Sequence, residues 1–156
     1  MTVEMNPMLA EVERLQQSCP LDLGTSGWTA ISKREADAFD RVAGIEVDFA
    51  VHPGGPRRKT AVNPFHLLAL LSGFASDLGV PGIETTEYIT MLNYGYDDVE
   101  WHSPVEPGVR IRDHVVLTDV IERPGGFLMV QRHELEAEGI PDPVMTAVSP
   151  GFAILL

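Results

Sequence analysis

An aspartate and a histidine, Asp48 and His52, stand four positions apart in a segment rich in proline and glycine. In outline they are a general-base pair: an imidazole to take a proton from water and a carboxylate to orient it. Glu46 lies just ahead of them as a second acid. The segment continues through Pro53-Gly-Gly-Pro56 into Arg57, Arg58 and Lys59, the densest positive cluster of the chain. Three adjacent cations can hold phosphate groups, or can be a solvated loop. Asn63, Phe65 and His66 follow directly. Asn63 reads either as a helix N-cap or as a substrate contact. His66 reads either as a hydrogen-bonded core or interface histidine or as a group facing a pocket. The histidines are not at metal-ligand spacing and Cys19 is the single cysteine, so neither a metal nor another cofactor is called for.

The surrounding elements decide where these groups can stand. Asn63 suits an N-cap, Pro64 the first helical position and Gly79 the position just past a helix end. Between them Phe65, Leu67, Leu68, Leu70, Leu71, Phe74 and Leu78 leave almost no polar face. That predicts a helix buried on most sides, and one too short to span a bilayer. Ahead of it, residues 7–18 place Met8, Leu9, Val12 and Leu15 at helical spacing, as a packing or dimer-edge helix. Residues 24–31 read as a strand holding Trp28 and Ile31. Ser32 and Glu35 form a capping box. The helix they open runs to about Val42, with Ala36, Phe39 and Val42 or Ala43 as its buried stripe and Gly44 as its end. Residues 45–59 fit neither helix nor sheet, and a loop held by a rigid scaffold is a common place for chemistry.

After the apolar helix the period changes to two. Residues 84–92 read as a strand, 93–98 as a bend, and 109–121, 127–138 and 144–155 as three long strands. Pro124-Gly125-Gly126 and residues 140–143 are the turns between them. Val109, Ile111, Val115, Leu117 and Ile121 share one face of the first long strand, and Arg110, Arg112 and His114 the other. Trp101 and His102 read as packing or subunit contacts. The sum is an α+β layout, a long antiparallel sheet wrapped around one central buried helix.

The 156 residues predict one domain over 1–156, with 1–20 as a helical extension. A formal charge of −12 argues against a nucleic acid partner and against an anionic membrane surface. The lone cysteine fits a cytoplasmic location, and residues 1–17 carry no signal-peptide pattern.

Residues 22–155 resemble the MaoC-like dehydratases, the group with (R)-specific enoyl-CoA hydratases, and hence the hot-dog fold. The resemblance is carried by Gly24-Thr-Ser-Gly-Trp-Thr-Ala-Ile-Ser32 with Ala36-Asp-Ala-Phe39 and Ala43-Gly44, then by Asn93-Tyr94-Gly95, Pro104-Val105, Pro107-Gly108 and Val109-Arg-Ile-Arg112. It implies hydration or dehydration of an enoyl or 3-hydroxyacyl thioester. In that family an Asp and a His five positions apart activate the water, and a glycine N–H at the start of the central helix meets the thioester oxyanion. It also implies an oligomer, either a homodimer or a pair with a related hot-dog subunit, which would protect the sheet edges. Arg57, Arg58 and Lys59 would then hold the phosphates of coenzyme A.

The chain departs from this pattern at the chemistry. Ile45 stands where the Asp is expected, Asp48 and His52 are the nearest pair, and the loop is short. Pro64 replaces the glycine and has no N–H, leaving Phe65 N–H and the Asn63 side chain as substitutes. A second register sets residues 61–66 on the hydratase signature Asp-x-Asn-Pro-x-His. It puts Ala61 at the Asp and consumes the central helix, so it fails for want of structural context. Three functions follow. The first is a lyase using Asp48 and His52. The second is a hot-dog protein that has lost that dyad, either a non-catalytic subunit or a repurposed lyase or cyclase. The third is a binding module for an apolar intermediate.

Overall fold

The computed structural model describes residues 7–44, 61–83 and 89–155. Asp48, His52, Arg57, Arg58 and Lys59, with Glu46, lie outside the described residues.

The local signals at helix ends act as the side chains require. Helix α1 spans Pro7–Ser18. After β1 (Leu21–Thr25) and β2 (Thr29–Ala30), α2 spans Lys33–Ala43. The Ser32 hydroxyl accepts the Glu35 N–H, and the Glu35 carboxylate accepts the Ser32 N–H at 2.8 Å, completing the capping box. Gly44 closes α2 at φ 66°, a conformation that costs glycine least. Its buried stripe is narrower than the spacing predicts. Ala36 is buried, while Val42 is 90% exposed.

Helix α3 spans Pro64–Leu78 with Asn63 as N-cap. It is followed by β3 (Ile89–Asn93), β4 (Asp97–Trp101), β5 (Arg110–Arg123), β6 (Gly126–Ala137) and β7 (Met145–Leu155). The strands form one antiparallel sheet in the order β1-β5-β6-β7-β3, with β2 also on β5 and β4 also on β7. The β5–β6 turn fits only because residue 126 is glycine. A Cβ there would lie 2.0 Å from the Ala153 carbonyl oxygen on β7.

Three sequence expectations change. The strand over 24–31 is two short strands. The chain leaves the ladder at Ser26, whose hydroxyl accepts the Asp113 N–H at 2.9 Å while its own N–H donates to the Asp113 carbonyl at 2.8 Å. Trp28 sits in that break, 39% exposed, beneath the Arg110 and Arg112 guanidinium groups at 5.5 and 4.5 Å. Next, β5 slips register between Leu117 and Asp119, so Val120 and not Ile121 faces the core. A bulge residue turns every later side chain over. Finally, α3 is buried along one side only. Leu67, Leu71 and Phe74 face the sheet, while Phe65, Ala69, Ser72 and Ser76 are exposed.

The sheet's inner face carries two apolar clusters. One joins Leu67, Leu71 and Phe74 of α3 to Ile111, Leu135, Ala137, Met145 and Ala147. The other joins Val12 and Leu15 of α1 to Leu117, Val120, Phe127, Met129 and Ala153. Ion pairs join the outward face of β5 to β6 and the residue after it, Arg112 with Glu136 and Arg110 with Glu138.

Candidate active site

The start of α3 is capped by Asn63. Asn63 is 3% exposed. Its Oδ1 accepts the Phe65 N–H at 3.0 Å and its Nδ2 donates to Asp40 Oδ1 at 2.9 Å. Pro64 has no N–H. The His66 and Leu67 amides both donate to the Asn63 carbonyl, at 2.9 and 3.3 Å. The first turn therefore spends its donors inside the chain. The Phe65 N–H, one of the two donors expected to meet an oxyanion, donates to Asn63 Oδ1 in the structure. Phe65 itself is 46% exposed and meets the Trp101 ring edge-on at 5.5 Å.

His66 stacks on Phe39 with ring centroids 4.5 Å apart. The two rings help line a cavity of about 470 Å³ between α2 and α3 that Glu35 and Leu70 also border. Nδ1 of His66 is buried without a hydrogen-bond partner. Burial lowers its pKa, against the pull of Glu35 and Asp40. A base whose pKa falls on folding contributes stability above its unfolded value, and that contribution is lost as pH drops. Replacing His66 by Phe should therefore flatten the acid side of the stability profile. The midpoint difference between pH 8 and pH 5 in urea unfolding should be smaller in the variant than in the wild type, and an equal difference would exclude a neutral buried imidazole.

A second group of polar side chains lies where the two apolar clusters meet. Asp113 on β5, His133 on β6 and Ser149 on β7 all face inward. Asp113 Oδ2 lies 2.7 Å from His133 Nδ1, and His133 Nε2 lies 2.7 Å from Ser149 Oγ. Asp113 and His133 are 0% and 1% exposed. Burial pushes the Asp113 carboxyl pKa up, and the hydrogen bond from His133 opposes the rise. The register explains the alignment. Val115 pairs with His133, and Gln131 with Ser149, so the three positions run diagonally across three adjacent strands.

Ser149 is at the wall of a cavity of about 420 Å³ between the second half of α3 and strands β3, β6 and β7. Met91, Leu92, Met129 and Ala75 give it apolar surface, and Gln131, Ser72 and Asn93 give it polar groups. Asn93 Nδ2 donates to Ser72 Oγ at 3.2 Å, and Ser72 Oγ shares a 2.7 Å hydrogen bond with the Tyr96 hydroxyl. This is the usual form of a small-molecule site, mostly apolar with a few convergent polar groups.

Asp113, His133 and Ser149 carry no motif in the linear sequence. A trace is legible in retrospect. Position 113 falls in the same alternation as Ile111, Val115 and Leu117, and a charged residue at a core position needs a partner. Among the described residues no three His, Cys, Asp or Glu side chains are grouped to hold a metal ion. Among the same residues no helix is long and apolar enough to cross a membrane.

No protein-family model matches the chain. It is 32% identical over 133 residues to nodulation protein N of Rhizobium leguminosarum bv. viciae, covering 81% of this chain and 80% of that protein. To nodulation protein N of Rhizobium meliloti (strain 1021) it is 33% identical over 137 residues, covering 81% and 80%. Among solved structures it is similar to the MaoC-like dehydratase from Rhodospirillum rubrum, with TM-score 0.58 and 13% identity over 85% of this chain and 89% of that one. It is similar to the (R)-hydratase from A. caviae involved in PHA biosynthesis, with TM-score 0.54 and 18% identity over 87% and 97%. It is also similar to a chain of the ChsH1–ChsH2 complex from Mycobacterium tuberculosis, with TM-score 0.57 and 13% identity over 94% and 90%. At these identities the structures establish the hot-dog fold.

Proposed function

Since this chain belongs to the nodulation protein N family and has the hot-dog fold of the MaoC-like dehydratases, we propose that it binds an acyl thioester and has given up the usual hydration site. The observation that carries this reading is the division of labour around α3. In its first turn Pro64 has no N–H and the Phe65, His66 and Leu67 amides donate to Asn63, which leaves none of these four positions to meet an oxyanion. Its second half walls an apolar cavity of about 420 Å³, a size that suits an acyl chain. Arg57, Arg58 and Lys59 would meet the coenzyme A phosphates, the local positive charge that a chain of net −12 needs for an anionic ligand.

The protein would work as a pair, with a second copy or a related hot-dog subunit. Among the described strands β3 ends the sheet, and Met91 and Leu92 are exposed on it, 39% and 45%. A terminal strand with apolar side chains favours pairing with another chain. The ChsH1–ChsH2 neighbour, itself a complex, supports the same arrangement.

Hydration by Asp48 and His52 is the second reading, favoured by the hydratase and dehydratase among the structural neighbours. One experiment separates the two. Titration with decanoyl-CoA should saturate, and Ser76→Trp, which places an indole from the exposed side of α3 over the cavity mouth, should weaken binding at least tenfold. Crotonyl-CoA and longer enoyl-CoAs should give no 3-hydroxyacyl-CoA. Formation of that product, abolished by His52→Ala or Asp48→Asn, would restore the hydratase reading, and absence of saturable binding would remove the thioester reading.

A further inference from the structure

We propose that Ser149 is a nucleophile, activated by His133 and Asp113, that takes an acyl group from an activated ester or thioester in the α3–β7 cavity and passes it to water. The substrate class rests on the reading above; the relay itself rests on the geometry alone. The three residues have the roles a serine nucleophile requires. Nε2 of His133 is 2.7 Å from the Ser149 hydroxyl, within reach to accept its proton. Nδ1 of His133 is 2.7 Å from Asp113, and an ionised Asp113 that accepts the Nδ1 proton turns the Nε2 lone pair toward Ser149. The same constellation recurs on unrelated folds because it is defined by geometry and not by sequence order.

A network that only filled the core would be expected to keep its hydroxyl away from solvent. Here Asp113 and His133 are buried, and the half-buried end is Ser149, which lines the cavity. Gln131 lies opposite Ser149 in the β6–β7 ladder and lines the same cavity. Opposed side chains on one sheet face stand roughly 5 Å apart at Cβ. Its carboxamide can therefore donate to the oxygen of a carbonyl held at Ser149 Oγ, the task that the start of α3 does not perform.

The reaction balances with water as the sole co-reactant. Ser149 Oγ attacks the carbonyl carbon and its proton passes to His133 Nε2. The tetrahedral intermediate expels the thiolate or alkoxide, which leaves with that proton, and an acyl ester on Ser149 remains. Water then attacks the ester, giving its proton to His133, and Ser149 Oγ leaves by taking it back. The net change is thioester plus water to carboxylic acid plus thiol.

The test uses the whole chain with a fluorophosphonate, p-nitrophenyl decanoate and decanoyl-CoA. Wild-type protein should gain one adduct, mapped by peptide mass spectrometry to Ser149. Ser149→Ala should take no label and lose turnover of p-nitrophenyl decanoate. Gln131→Ala should lower kcat about 100-fold with little change in KM. Asp113→Asn, which acts through His133, should lower the acylation rate by about three orders of magnitude or more and change its pH profile. Should Ser149→Ala fold poorly, Ser149→Cys in a Cys19→Ser background keeps the shape. Its thiol should react with iodoacetamide at a rate set by His133 and lost in His133→Gln. Decanoyl-CoA binding without any adduct at Ser149 would overturn the relay and leave the binding function standing. Acylation of Ser149 by the nitrophenyl ester without decanoyl-CoA binding would establish the relay and remove the thioester. Label on another residue, or full turnover by Ser149→Ala, would overturn the proposal.

Discussion

His133→Ala should unfold roughly 10 °C below the wild type, the combined effect of a loss of about 3–5 kcal/mol and the entropy of unfolding of a chain this size. The imidazole is 1% exposed and bridges three strands through Asp113 and Ser149. Removing it leaves a void and, more costly, a carboxyl group at 0% exposure that has lost its ring donor and keeps only the Glu134 backbone N–H and the more distant His114. The variant should also show a pH signature. Burial already raises the Asp113 pKa above the ordinary 3.8, with the His133 hydrogen bond opposing the rise. A carboxyl whose folded pKa is raised contributes stability below its unfolded value and loses it as pH climbs through the folded value. Without His133 that value climbs further, so the penalty should grow from pH 4.5 to pH 7.5. Adding Asp113→Asn should return part of the loss, because the double variant no longer buries an unpaired charge. Urea unfolding of the four proteins at both pH values measures all of this. A penalty that is the same at pH 4.5 and 7.5, with no return from Asp113→Asn, would show that His133 acts by volume alone.

What was legible in the sequence follows the range of the interactions. Ser32 and Glu35 are three residues apart and Asn63 caps the amide two residues on, so both helix starts could be read from local chemistry. The long strands were legible because an alternation of period two leaves few other choices, and the ordered set of segments was enough to reach the hot-dog fold. The slip at Thr118 was not. A bulge is set by what lies across the ladder, here the Val130 carbonyl that accepts the Thr118 hydroxyl at 3.0 Å. The relay was hidden for the same reason. Asp113, His133 and Ser149 are 20 and 16 residues apart and meet only once β5, β6 and β7 are in register. Asp48 and His52 were conspicuous because they are close in sequence, which makes a motif easy to see and says nothing of what surrounds it. The apolar faces of α3 were read too broadly. Apolar side chains over most of its length predict burial all round, yet the described strands cover one side of it.

That asymmetry of α3 sets the second large effect. Leu71 is 0% exposed and packs in the cluster with Ile111, Leu135 and Met145. Leu71→Ala should cost about 2–5 kcal/mol, its size fixed by how far β5 and β6 can relax into the space. The loss should be the same at every protein concentration, because both sides of the contact belong to one chain. Phe65, on the open side at 46% exposure, tests something else. In an isolated chain Phe65→Ala removes part of one edge-on contact with Trp101 and should cost under about 1.5 kcal/mol. If the open side of α3 is covered by a partner, Phe65 becomes a central aromatic anchor, and its loss should weaken association by about 2 kcal/mol or more. Unfolding midpoints should then depend on concentration in the wild type, and light scattering should show Phe65→Ala shifted toward monomer while Leu71→Ala keeps its mass. A wild-type monomer would leave the exposed apolar side chains of α3 and β3 without a second chain to cover them, and the pairing proposal would fall while the core argument for Leu71 stood.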